Sequence, residues 1–140
     1  MAEDLASANV NRLYSLAASS IAIFMFTMFF LYPRYTSGEA NAVLFQATLV
    51  VMGVTTFAFV LASLNYYCAS SGGQSTDAER TGYFRSGNRF WVLGYSLLFL
   101  TPSLILFSIG LLAVGSAWFV LWLVYLVVVI RLFPRMQAAP

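Results

Sequence analysis

The sequence contains no histidine and no lysine, and it has a single cysteine, Cys68. Without histidine or lysine, the serines lack the usual neighbouring base that activates a serine nucleophile. One cysteine cannot form a disulfide within the chain, and one thiol cannot build a structural zinc site. These absences predict a protein that is not an enzyme and that binds no metal or other cofactor.

Charge is also scarce. Charged residues make up 9% of the 140 residues, whereas apolar residues make up 61%. A soluble globular domain carries roughly 25% charged residues, so this chain has too few to cover its surface in water. A net charge of +2 is too small to indicate a nucleic-acid partner. The composition predicts an integral membrane protein whose surroundings are the lipid bilayer.

Long apolar segments dominate what remains. About 20 residues of α-helix cross a hydrocarbon core of roughly 30 Å, and Pro33 is expected to stop the first such helix. Residues 90–130 carry no charge and are too long for one crossing, so we expect a hairpin near Gly110–Ser116. The predicted spans are residues 13–32, 42–67, 90–112 and 117–133. The sequence therefore predicts an all-α, four-helix transmembrane bundle that forms a single domain over residues 1–140.

A polar segment over residues 69–89 separates the second and third spans. Thr76 followed by Glu79 matches the capping-box pattern, which indicates the start of a helix. A short helix over residues 77–86 that lies along the lipid headgroups is one interpretation, and an ordinary loop is the other.

The seven cations are all arginines, and their distribution predicts the orientation. With four spans, Arg34 lies alone on one side of the membrane, and the other side carries Arg12, Arg80, Arg85, Arg89, Arg131 and Arg135. Positive residues collect on the cytoplasmic side, so both termini are expected to be cytoplasmic, in a cell (inner) membrane. The arginines expected to contact lipid headgroups are Arg80, Arg85, Arg89, Arg131 and Arg135.

No charged residue lies in the middle of a span, which argues against a proton relay. Uncharged polar residues remain on the second span, where one stripe contains Gln46, Gly53, Thr56 and Ser63 and the opposite face carries Thr48, Thr55 and Ala62. The stripe either lines a water-filled path or supplies helix-packing contacts. In both cases it is expected to face protein or water, because an unpaired amide is costly in hydrocarbon.

Two further features concern the third and fourth spans. Pro102 lies in the middle of the third span and predicts a kink, because proline removes a backbone hydrogen bond. Trp118, Trp122 and Tyr125 form an aromatic ridge on the fourth span, which is expected to face lipid or the membrane interface.

Three functions fit these observations. The leading hypothesis is a protomer of a homo-oligomeric ion channel or pore, since four short helices rarely enclose a wide path alone. The alternative is a non-catalytic accessory or scaffold subunit among other membrane subunits of a larger complex. The third is a carrier for a neutral or apolar solute, with Pro102 as the bend that permits motion.

Overall fold

A computed structural model of the chain describes the backbone of residues 2–70 and 76–137, and the side chains of residues 8–70 and 76–131. These residues form four α-helices: α1 (Ala2–Thr36), α2 (Ala42–Ser70), α3 (Asp77–Ser108) and α4 (Leu112–Gln137). Each contains a stretch that is long and apolar enough to cross a membrane. The prediction of an all-α integral membrane protein with four spans is confirmed.

The helices pack in chain order, with α2 between α1 and α3, and with α4 against α3. The core cluster consists of Leu13, Ala17, Phe59, Ala62 and Tyr66, and Trp91 and Tyr95 of α3 pack against it. Phe59 and Tyr95 meet edge to face, with ring centroids 5.6 Å apart. This cluster joins the first half of α1, the second half of α2 and the middle of α3, on the side of the bundle that we call the core end. The opposite end, where the α1–α2 and α3–α4 turns lie, is the turn end.

α1 continues through Pro33 and ends one turn later, so the predicted stop at this proline was wrong. Gly38 has φ +78°, and its N–H donates to the Tyr35 carbonyl at 3.2 Å, while the Glu39 N–H donates to the Arg34 carbonyl at 2.9 Å. This pair of bonds is a Schellman cap. Pro33 removes one backbone bond, whereas the glycine cap satisfies two carbonyls that would otherwise lack partners. The helix therefore ends at the glycine.

The turn between α3 and α4 is built in the same way around Gly110, whose φ is +80°. Its N–H donates to the Phe107 carbonyl at 3.1 Å, and the Leu111 N–H donates to the Leu106 carbonyl at 2.9 Å. The turn is shorter than predicted, because one glycine completes the cap and Gly115 already lies within α4. An additional bond from the Asn41 N–H to the Ser108 carbonyl, at 2.9 Å, joins the two turns.

α3 begins at Asp77, so residues 77–86 are its first turns and not a separate helix along the headgroups, and the polar segment is helical over more than half its length. The predicted capping box is confirmed: the Thr76 N–H donates to Glu79 Oε2 at 2.9 Å, and Thr76 Oγ1 accepts the Glu79 N–H at 3.4 Å. At 1.5 Å per residue this helix is about 48 Å long, longer than a hydrocarbon core of about 30 Å. We therefore expect its polar first turns to lie outside the hydrocarbon core.

Candidate functional site

The four members of the predicted stripe lie in different surroundings. Ser63 is fully buried and Thr56 is half-buried, whereas Gln46 and Gly53 are exposed on the outer surface of α2. Gln46 lies in the first turns of α2, where its amide donates to Tyr35 Oη at 3.5 Å. The Thr56 hydroxyl donates to a carbonyl of its own helix at 3.1 Å. Within one chain, the stripe therefore lines no common surface.

The outer surface of α2 around Gln46 and Gly53 is otherwise apolar. Its large exposed side chains are Val43, Val50, Val54 and Phe57, of which Val43 is 76% exposed and Phe57 is 65% exposed. A shallow apolar groove runs beside Gly53, between α2 and Phe90 and Leu93 of α3. This surface has the composition of one that faces lipid.

The inner surface of α2 is the face opposite the predicted stripe. Thr48, Thr55 and Ala62 are all buried there against the neighbouring helices. The hydroxyls of Thr48 and Thr55 each donate to a carbonyl one turn earlier in α2, at 2.7 Å. These threonines combine small size with a hydroxyl that needs no partner from another helix, which allows helices to approach closely in a membrane.

Buried hydroxyls also occur on α1 and α3, where the sequence analysis did not single them out. They are Ser20, Thr27, Ser96, Thr101, Ser103 and Ser108. A sequence signal was present, because hydroxyl residues recur seven residues apart at Ser20/Thr27, Thr48/Thr55, Ser96/Ser103 and Thr101/Ser108. Seven residues return to nearly the same side of an α-helix, with a drift of about 20°. We call these pairs the hydroxyl rows.

Most of the hydroxyl rows on α1 and α3 are also satisfied within their own helix. Ser20, Ser96, Thr101 and Ser108 each donate to a carbonyl three or four residues earlier, at 2.7–3.0 Å. Ser103 differs, because its hydroxyl donates across to the Gly115 carbonyl of α4 at 2.9 Å. The hydroxyls of Thr27 and Ser63 are buried with no hydrogen-bond partner among the described residues.

Glycines allow the tightest contacts between helices. A Cβ added at Gly94 of α3 would lie 2.7 Å from the Phe59 ring of α2, and Phe59 is completely buried. A Cβ at Gly115 of α4 would lie equally close to the Phe107 ring of α3. Real Cβ atoms essentially never come this close to other atoms, so both helix pairs depend on the missing side chain.

The aromatic ridge of α4 contacts α3, and Trp118 also remains 38% exposed, so its predicted position facing lipid or the membrane interface stays a prediction. The Trp118 indole donates to the Phe99 carbonyl at 3.0 Å, and the Trp122 indole donates to the Ser96 carbonyl at 2.8 Å. The Tyr125 ring stacks on Phe99, with centroids 4.9 Å apart. An indole N–H buried away from water needs an acceptor, and α3 supplies one to each tryptophan.

Three of the predicted headgroup arginines lie in the first four turns of α3, and the other two lie in the last two turns of α4. Arg85, Arg89 and Arg131 are exposed, and Arg80 is half-buried, while the side chain of Arg135 lies outside the described residues. Their contact with headgroups stays a prediction.

Pro102 is half-buried within α3, and the helix is assigned without interruption through it. The predicted kink there stays a prediction. Among the described residues, no group of three histidine, cysteine or acidic side chains is placed to hold a metal ion.

Comparison with known proteins gives no relative from which a function can be carried over. No protein-family model, no curated protein and no solved structure matches the chain. What the protein does must therefore be inferred from the contacts within this integral membrane protein of four helices.

Proposed function

We propose that this protein is a non-catalytic accessory or scaffold subunit of a larger membrane assembly, in which it contributes helix surface. The observation that carries this proposal is the position of the hydroxyl rows. They lie between packed helices, and most of their hydroxyls are already bonded to carbonyls of their own helix. Small and hydroxyl residues placed in this way support close helix packing in a membrane.

The same geometry gives less support to a conducting path within one chain. Hydroxyls that donate to their own helix have lost the donor that would coordinate a passing water or solute. The exposed members of the stripe, Gln46 and Gly53, are surrounded by apolar side chains such as Val50 and Phe57. An aqueous path needs a continuous polar lining, and this surface does not supply one.

A non-catalytic role is supported by what the few acidic residues do. Glu79 caps α3 through the Thr76 N–H, so this carboxylate is already occupied in holding a helix end. The chain has no histidine or lysine to act as a base beside it. No pair of groups suited to proton transfer is therefore apparent among the side chains that the structure describes.

A role as a subunit is supported by the large apolar surface of α4. Only 6% of the most apolar stretch of α4 is buried, compared with 39% in α2. Exposed aliphatic side chains on α4 include Val120, Leu121, Val124 and Ile130. Such a surface can pack against either lipid or another membrane subunit.

A homo-oligomeric pore is the second proposed function, and it has one observation in its favour. Gln46 and Gly53 are exposed, so a ring of copies that turned α2 inward would bring the Gln46 amides together around an axis. In that arrangement the stripes of several chains would together line the path, and no single chain would enclose it.

The orientation proposed from the arginines places both termini in the cytoplasm of a cell (inner) membrane. In a Cys68→Ser background, Ser37→Cys should react with an impermeant maleimide added outside intact cells, because Ser37 lies in the exposed α1–α2 turn. Thr81→Cys, on the exposed start of α3, should react only after the membrane is opened. The reverse pattern of labelling would contradict the proposed orientation.

The test of the proposed function is the composition and mass of the particle extracted from its native membrane in mild detergent. A scaffold subunit should be recovered with unlike chains at a fixed stoichiometry, and the purified chain alone should pass no ions in vesicles. A particle that contains several copies of this chain alone, and that conducts ions, would replace the first proposal with the second.

A further inference from the structure

A cleft of about 290 Å³ lies at the turn end of the bundle, between the second half of α1 and the end of α3. Its walls are apolar and are formed by Phe26, Phe30, Leu31, Ile105 and Ile109. The rings of Phe26 and Phe30 lie 4.3 Å apart and are both largely exposed. The volume is at the lower end of the range for small-molecule sites, which are concave and mostly apolar. An aliphatic chain has the shape and polarity to fill it.

Two polar groups of α1 also line this cleft, at different depths. Thr27 is only 2% exposed, and its hydroxyl has no hydrogen-bond partner among the described residues. Arg34 is exposed in the last turn of α1, at the end of the cleft nearest the α1–α2 turn. Seven residues of helix place Thr27 about 10 Å deeper than Arg34. A ligand that satisfies both needs an anionic head and, further along the molecule, a second oxygen.

We propose that this cleft binds one anionic glycerophospholipid. Its phosphate bonds to the Arg34 guanidinium, as arginine and phosphate do through charge-assisted hydrogen bonds. One acyl chain lies between Phe30 and the isoleucines of α3. The Thr27 hydroxyl is buried without a partner in its present position, and a rotation of this side chain towards the cleft lets it donate to a glycerol ester oxygen. The esters of a phospholipid lie on the acyl side of its phosphate, which matches the deeper position of Thr27.

Other ligands of similar chemistry satisfy fewer of these groups. A fatty acid with its carboxylate at Arg34 would place only methylene groups beside Thr27, and its hydroxyl would stay unpaired. Free phosphate, or a headgroup without chains, would leave the apolar walls empty. A zwitterionic lipid such as phosphatidylcholine presents a cation next to its phosphate, which weakens its attraction to Arg34.

The experiment is native mass spectrometry of the full-length purified chain, titrated separately with phosphatidylglycerol, phosphatidylcholine, oleate and glycerol 3-phosphate. We expect one phosphatidylglycerol to be retained per chain, more tightly than the other three. Arg34→Gln should weaken this binding by about tenfold, the usual effect of losing a charged hydrogen bond. Thr27→Val, which keeps the side-chain shape, should weaken it by about threefold. Ile105→Trp should block the cleft and abolish retention.

The matched control is Arg12→Gln, which removes an exposed arginine outside the cleft and should leave phosphatidylglycerol retention unchanged. Each variant is first checked for an unchanged thermal transition. If Ile105→Trp fails that check, Arg34→Gln and Thr27→Val together decide. Equal retention of phosphatidylglycerol and phosphatidylcholine, or binding unaffected by both Arg34→Gln and Thr27→Val, would overturn the proposal. Competition by glycerol 3-phosphate, or oleate binding as tight as phosphatidylglycerol binding, would overturn it too.

Discussion

α2 and α4 are both free of charge over their membrane-crossing lengths, but they lie in different surroundings. α2 lies between α1 and α3, with its hydroxyls on the inside, and 39% of its most apolar stretch is buried. α4 packs against α3, and only 6% of the corresponding stretch is buried. Its polar contacts to α3 come from tryptophan indoles and from the Gly115 carbonyl.

The difference shows that hydropathy identifies a span without locating it in the bundle. Lipid tails are as apolar as leucine, so an apolar side chain gains little by facing a helix instead of lipid. Small residues and hydroxyl residues mark a helix that packs between others. Small residues allow close approach of the backbones, and hydroxyls can donate to carbonyls of their own helix. α2 and α3 carry these residues at seven-residue spacing, whereas the exposed length of α4 is aliphatic.

The largest expected effect comes from placing a side chain where α2 and α3 meet. Gly94→Leu would put its Cβ 2.7 Å from the Phe59 ring, which is completely buried and cannot move aside. We expect a loss of about 3 kcal/mol in the free energy of unfolding, the upper part of the range for overpacking. The measurement is the thermal transition of the purified protein in detergent.

Gly53→Leu is the matched control for this substitution. It changes the same residue type on the outer surface of α2, where nothing lies within 4 Å of an added Cβ. The change in stability should stay within about 0.5 kcal/mol. Similar losses for the two variants would show that α2 does not have distinct inner and outer surfaces.

A smaller effect is expected at the corresponding contact between α3 and α4. Gly115→Leu creates the same 2.7 Å approach, but to Phe107, which is half-buried and can rotate towards lipid. We expect a loss of about 1 kcal/mol, with a change in tryptophan fluorescence as α4 moves from α3. A loss of unfolding free energy as large as that of Gly94→Leu would contradict the placement of α4 at the outside of the bundle.

The next effect concerns one hydrogen bond that holds α4. Trp122→Phe keeps an aromatic ring but removes the indole N–H that donates to the Ser96 carbonyl at 2.8 Å. Hydrogen bonds between membrane helices contribute about 0.6 kcal/mol on average, so a loss of this size is expected. The thermal transition measures it, and an unchanged transition would mean that this bond does not stabilise the helix pair.

Most of the fold could be predicted from the sequence, because the bilayer demands long apolar helices with every backbone group satisfied. The helix ends were less predictable. Pro33 was expected to end α1, but Gly38 ends it, since a proline in the last turn removes only one bond. The third span was expected to begin at residue 90, and the helix that contains it begins earlier, at the capping box of Thr76.

The polar contacts inside the bundle were predicted less well. The stripe was placed by the 100° spacing of residues on an α-helix, and Gln46 is its most polar member. Gln46 instead bonds to Tyr35 near a helix end, where an amide does not need to be buried. The inner face is marked by Thr48 and Thr55, whose hydroxyls bond locally and give no strong polar signal. The cleft beside Thr27 depends on how α1 and α3 diverge, which a single sequence does not specify.

In the proposed function, the polar residues of the spans support helix packing and do not line a path. The most direct measurement is ion flux in vesicles that contain the purified wild-type chain, beside a Gln46→Leu/Gly53→Leu variant that makes the outer surface of α2 wholly apolar. We expect no flux above that of protein-free vesicles for either protein, and free energies of unfolding that differ by less than about 0.5 kcal/mol between them. Ion flux through the wild-type chain that the double variant abolishes, with the thermal transition unchanged, would contradict it.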